Sequence, residues 1–312
     1  MTIQKTSAGP LVAYLVILAA LCGAFVAGAR LLGEQGMYLA QAYMLTPALA
    51  AILARSLFYA PRFTDANLRF GRVRDYLTFW LAGLGITAAS FVLFTLLGAI
   101  SWDFSGQVFL DLFARQLAAR GQDMTASLPP GLTPRSMLLI FLVGGLTVFN
   151  ILPGVVMGFG EEFGARGLMF PLMYKVAPWV GFIVGGLTWY AWHLPLALVM
   201  PSQAAEPAWQ NAANHLLLAG GSVCTAAYLA YVYVKSRSVW VTAVAHITLN
   251  NAARSLGYFV VVRNQLMANA GLALTMLLVV VVLYLTKETD VFAAYFAHEA
   301  RVGRAAGESA QA

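Results

Sequence analysis

The feature that most constrains this chain is a series of apolar runs about 20 residues long, the length at which a helix crosses the hydrocarbon layer of a bilayer. They fall at residues 11–29, 38–54, 76–100, 137–159, 179–200, 216–234, 239–262 and 266–285. Two-residue alternation is absent and the runs are too long for barrel strands, so helices are the way their backbones satisfy themselves in lipid. The expectation is an all-α, polytopic transmembrane bundle of about eight spans.

Composition agrees, because 60% of the 312 residues are hydrophobic and only 10% are charged, where a soluble domain carries roughly a quarter charged residues. The first run, after Lys5 and ending in Ala27-Gly28-Ala29, has some look of a cleaved signal. Its apolar stretch is longer than a signal core and the remainder is itself membrane-embedded, so a retained span is expected. Cys22 and Cys224 both lie in apolar runs and form no disulfide framework.

A formal net charge of +6 raises nucleic acid as a partner, but the basic residues sit at span ends instead of on one surface. Orientation explains them better. With a cytoplasmic N-terminus, the inside collects Lys5, Arg55, Arg62, Arg69, Arg72, Arg74, Lys175, Lys235, Arg237, Lys287, Arg301 and Arg304. The loop around Glu206 then lies outside, as do Arg30, Arg115, Arg120, Arg135 and Arg263. Both termini are expected in the cytoplasm, and the alanine- and arginine-rich composition points to a bacterial inner membrane.

Three segments follow: 1–135 with the first spans and an interfacial helix, 136–262 as the chemical core, and 263–312 with the last span and a cytoplasmic tail. The interfacial helix rests on Val108, Phe109, Leu112, Phe113 and Leu117, which share a helical face opposite Asp111 and Arg115. The tail's amphipathic start, 291–296, is expected on the membrane surface, and His298 and His215 are read as solvated or interfacial.

Ionisable groups inside lipid cost about 3 kcal/mol each on insertion scales, so each needs a reason. In Gly160-Glu161-Glu162-Phe163-Gly164-Ala165-Arg166, Glu162 and Arg166 are four residues apart and share a helical face, while Glu161 is turned about 100° away. One carboxylate is thereby held and the other left free. Gly160 and Gly164 allow another element to approach closely. The plain alternative is that these charges cap a helix end at the membrane surface.

His193 lies in an apolar run one turn after Trp189, with Pro195 expected to free carbonyls that satisfy it. A lone histidine there is more often a hydrogen-bonded core residue than a catalyst. In the seventh run His246 and Asn250 project together, and Arg254 follows one turn later. Two histidines, a free glutamate and an amide on three spans make a constellation that an inert bundle would seldom carry.

Glu-Glu-x-x-x-Arg at 161–166, an aromatic four residues before a histidine at Trp189 and His193, and His-x-x-x-Asn at 246–250 together resemble the CPBP family. That family includes the CAAX prenyl endopeptidases and the bacteriocin self-immunity proteins. The resemblance covers about residues 137–260. Trp189 stands where the family more often has phenylalanine, and the first three spans carry none of its motifs. It implies an intramembrane endopeptidase in which Glu161 is general base on a water held by His193. His246 and Asn250 would stabilise the oxyanion, and Glu162, paired with Arg166, would be scaffold or auxiliary acid.

No cofactor is required on that mechanism. Zinc is the rival, since Glu161, His193 and His246 supply a two-histidine, one-carboxylate set, although no His-Glu-x-x-His helix is present. The expected partners are a peptide or membrane-protein substrate and the lipid bilayer, with no nucleic acid. Two other functions fit parts of the pattern. A proton-coupled transporter would use Glu161 and the histidines as a relay, but the chain shows no repeated half with paired broken helices. A non-catalytic membrane scaffold would have no need of the whole catalytic set.

Overall fold

The computed structural model describes residues 8–118, 131, 133–147, 151–152, 154–197, 199 and 207–309. Lys5, Arg120 and Glu206, used above for orientation, lie outside the described residues, as does the Arg304 side chain. The described residues are helical almost throughout. Among the described residues, α1 (Ala8–Leu31), α4 (Val73–Leu96), α10 (Ala208–Ser236) and α12 (Gln265–Leu285) are long and apolar enough to cross a membrane. Their outward faces keep Val16, Leu81, Val92, Leu278 and Val282 exposed, which suits hydrocarbon as solvent.

The other expected spans are built differently, and local chemistry explains why. The run at 38–54 divides into α2 (Leu39–Tyr43) and α3 (Thr46–Phe58). Pro47 in the first turn of α3 lacks an N–H and favours a helix start, so the break falls just before it. The run at 137–159 is likewise two helices, α6 (Pro134–Leu146) and α7 (Val155–Gly164). Thr133 caps α6 by accepting from Ser136 N at 3.1 Å.

The fold is the all-α bundle expected from the sequence, with one short pair of strands added to it among the described residues. Gly98, at φ +64°, ends the run of α4. The chain then enters β1 (Ile100–Trp102), which pairs antiparallel with β2 (Val260–Val262), Ser101 opposite Val261. The seventh run therefore begins as helix α11 (Val239–Gly257) and finishes as a strand of β-branched valines. The segment expected as an interfacial helix is helical, α5 (Gln107–Ala118), with Phe109 packed against Leu138 and Phe259 and Leu112 exposed.

The C-terminal segment also departs from expectation. Helix α13 (Asp290–Ser309) turns Phe292 and Tyr295 into the protein core, with Phe292 5.0 Å from the Phe182 ring, instead of laying them on the membrane. One buried cluster takes side chains from Tyr14, Phe79, Phe163, Leu229, Val239, Met276 and Phe292, while α5 and α6 pack in a separate one around Phe109, Leu138 and Phe259. Both cysteines are free. The segment that matters most for the site runs through α7, a π-helical turn at Ala165–Met169, and α8 (Phe170–Val176). A second π-helical turn at Val180–Val184 leads into α9 (Gly185–Ala197).

Candidate active site

Glu161 and Glu162 occupy the last turn of α7 and are both buried. The helix can sit deep because Gly160 and Gly164 face the break between α2 and α3. A Cβ on Gly164 would lie 2.5 Å from Pro47, and one on Gly160 2.8 Å from Leu45. The close partner is therefore an irregular turn and not a second straight helix. The π-helical turn that follows adds a residue to the helical repeat, a device often found at functional sites.

Arg166 Nη1 donates to Glu162 Oε1 at 3.0 Å and its Nη2 to the Ala226 carbonyl at 3.4 Å. Both side chains are at most 2% exposed, so this ion pair lies inside the protein and not at a wet helix end. Glu162 has a second neighbour. His246 Nδ1 on α11 stands 2.9 Å from the same Oε1, close but off the direction of a good hydrogen bond. Glu162 thus joins the arginine of its own helix to a histidine 84 residues away, a link that local sequence spacing could not reveal.

Glu161 points the other way. Its Oε2 is buried without a hydrogen-bond partner among the described residues. It lies 3.9 Å from His193 Nε2 and 4.0 Å from His246 Nε2. His193 Nδ1 donates to the Trp189 carbonyl at 2.9 Å, and since a carbonyl only accepts, the proton of neutral His193 is on Nδ1 and its Nε2 is an acceptor. The sequence expected Pro195 to supply the carbonyl. Pro195 frees that of Ala191, four residues before it, whereas His193 uses the one a turn before itself.

Trp189 forms the wall between these groups. Its ring meets those of His193 and His246 edge-on at 5.1 and 5.5 Å, and the Arg166 guanidinium stacks over it at 5.1 Å. Trp192 holds α9 in place from behind. Its Nε1 donates to Thr46 Oγ1 at 3.0 Å, its ring stacks on Tyr43, and its carbonyl accepts from the Tyr43 hydroxyl. Sequence reasoning missed Tyr43 and Thr46, which carry no motif of their own.

It also missed the burial of Arg55, read as an interfacial cation. Arg55 pairs with Asp65 at 2.7 Å and donates to the carbonyls of Arg62 and Gly167, which ties α3 to the π-helical turn below the glutamates. Arg254, singled out from the sequence, is exposed on α11 and takes no part.

Both histidines and Asn250 line one cavity of about 490 Å³ between α4, α9, α10, α11 and α12. Asn250 is exposed to that space a turn beyond His246. Most of the wall is apolar, with Ile86, Phe91, Leu218 and Met276 among its members. Thr87 and Ser90 line it too, with hydroxyls bonded to carbonyls of their own helix.

The sequence-level zinc set of Glu161, His193 and His246 does converge here. Yet donors around a tetrahedral zinc, each at about 2.0–2.1 Å, stand about 3.3 Å apart. The separations of 3.9 and 4.0 Å are wider, and no trio of His, Cys, Asp or Glu among the described residues has a metal-holding arrangement. As placed, these residues do not fit zinc. They do fit a water held by ordinary hydrogen bonds of about 2.8 Å to each side.

No curated protein matches the chain. The family model described as type II CAAX prenyl endopeptidase, Rce1-like, matches residues 143–252, a stretch that contains Glu161, Glu162, Arg166, Trp189, His193, His246 and Asn250 and agrees with the CPBP resemblance. Over residues 143–252, less than half of its length, the chain is similar to the Rce1-like family, and that similarity implies a CAAX-type intramembrane protease.

Proposed function

We propose that this protein cleaves peptide bonds of membrane-associated substrates with a water activated by Glu161 and without a metal ion. The observation that carries the reading is the unpartnered Glu161 Oε2 facing His193 Nε2 across 3.9 Å, beside the cavity that both histidines line. Both atoms accept hydrogen bonds. One water donating to each would have both its protons engaged and a lone pair left for a carbonyl carbon.

As that water attacks, its proton passes to Glu161 and the scissile C=O becomes an oxyanion. His246 Nε2 and the Asn250 amide, on the cavity wall, are the donors for it. The C–N bond then breaks and the proton held by Glu161 passes to the departing amine. For His246 to donate from Nε2 while its Nδ1 faces Glu162, it must carry both protons. The cluster then balances, with Glu161 and Glu162 negative, Arg166 and His246 positive, and His193 neutral. A neutral sum keeps the burial cost of these charges tolerable. Glu162 acts here through His246 and Arg166 and does not touch the substrate.

The test is comparative proteomics of membrane fractions from cells with the wild type and with Glu161→Gln. The amide keeps the volume and loses the base, so cleavage should fall about 10²–10⁴-fold while the protein still accumulates in the membrane. Near-normal cleavage would remove Glu161 from the chemistry.

A further inference from the structure

At the opposite end of α4 and α10 from β1 lies a second cavity, of about 390 Å³, that the proteolytic reading does not use. Its lining contains Arg69, Arg72, Arg74, Lys235 and Arg237 against one carboxylate, Asp75. Orientation alone asks for basic residues on this side of the membrane, but not for five of them to converge on one space, where their mutual repulsion is unfavourable. Three have other engagements: Arg69 donates to the Arg237 carbonyl at 2.8 Å, Lys235 meets Glu288 at 2.6 Å, and Arg237 stacks over Tyr295 at 5.5 Å. Arg72 and Arg74 make no ion pair or side-chain hydrogen bond among the described residues.

The cavity has an apolar neighbour. A groove of about 360 Å³ between α10, α12 and α13 is lined by Val223, Ala227, Val281, Tyr284 and Phe292, and Tyr231 lines both the groove and the basic cavity. The Tyr231 hydroxyl, bonded to Glu288 at 2.8 Å, stands at the polar edge of the groove. Because α4, α10 and α12 have the length and composition of membrane spans, the basic cavity falls at headgroup depth and the groove at acyl-chain depth.

We propose that these two spaces together bind one anionic phospholipid, with its phosphate at Arg72 and Arg74 and an acyl chain in the groove past Tyr231. A free phosphate would meet the charge requirement but leave the groove unused. Their adjacency at Tyr231 favours a molecule having both a phosphate and a chain.

The test uses the full chain in bilayer nanodiscs of phosphatidylcholine with about one-fifth phosphatidylglycerol, an anionic fraction of the kind that basic segments recognise. Lipid retained after release is read by native mass spectrometry. Phosphatidylglycerol should be retained in preference to phosphatidylcholine, and Arg72→Gln with Arg74→Gln should weaken that retention about 30-fold. Val281→Trp, a change at an exposed groove residue, should also weaken it while leaving every charge in place. Inorganic phosphate alone should not raise the melting temperature of the protein in detergent. Equal retention of the two lipids, or retention indifferent to the arginine substitutions, would overturn the proposal. Phosphate stabilising the protein, with Val281→Trp without effect on the lipid, would make this a soluble-phosphate site and overturn it equally.

Discussion

The Glu162–Arg166 and Lys235–Glu288 pairs each join a carboxylate to a basic side chain, at 3.0 and 2.6 Å, and the shorter of the two should be the cheaper to break. Lys235 and Glu288 are 45% and 39% exposed, so water competes for both and salt screens them. Glu162 and Arg166 have no such alternative, and each depends on the other for its solvation. Separation measures contact. Surroundings decide what breaking the contact costs: the third group beside the buried pair, His246, is itself buried, whereas Tyr231 bonds Glu288 where both members of the exposed pair are open to water.

The comparison breaks most readily at Arg166. Arg166→Ala strands Glu162 in the interior and should cost about 3–5 kcal/mol, read as a large drop in melting temperature and in membrane yield. Glu161→Gln, one residue from that pair, should by contrast spare stability and abolish turnover. If Arg166→Ala melts like the wild type, the pair is solvated and its burial has been misjudged.

A smaller effect is expected where packing and not charge holds the glutamates in place. Gly164→Ala puts a methyl group against Pro47 and should destabilise by about 1–3 kcal/mol, the usual penalty of overpacking. Thermal melting beside Gly85→Ala, where a Cβ meets nothing within 4 Å, separates the contact from helix propensity. Equal or higher stability of Gly164→Ala would mean that the α2–α3 turn yields easily.

The exposed pair should respond least. The Lys235 ammonium, and then the Tyr231 hydroxyl, hold the Glu288 carboxyl below its usual value. A lowered carboxylate contributes stability above the unfolded glutamate's pKa, about 4.3, and loses it as pH falls through the lower folded value. Screening keeps that contribution below about 1 kcal/mol. Melting from pH 7 to 3 should therefore differ slightly between wild type and Glu288→Gln, most at the top of that range, with the difference shrinking in high salt. A loss of several kcal/mol would rank this pair with the buried one.

Metal removal should have the smallest effect of all, since the buried cluster balances its own charges on the proposed mechanism. Purified enzyme treated with a chelator, with metal loss confirmed by elemental analysis, should keep most of its activity in detergent. Activity that vanishes with the metal and returns with zinc would replace the water-activating glutamate with a Lewis acid.

Much of the site was legible before any coordinates because its signals are local. Four-residue spacing on a helix puts Glu162 beside Arg166 and His246 a turn from Asn250, and any charge in an apolar run has to be explained. The same periodicity marks the long spans α1, α4, α10 and α12 and the apolar face of α5. What it cannot carry is the pairing of distant segments. That Glu162 meets His246, that Arg55 turns inward to Asp65 and the Gly167 carbonyl, that β1 finds β2, and that α13 packs on the core and not on lipid were decided only by the tertiary structure. The physical reason is one of range: helix hydrogen bonds and hydrophobic periodicity act within a few residues, whereas a buried charge takes whichever partner the packing of other helices brings to it.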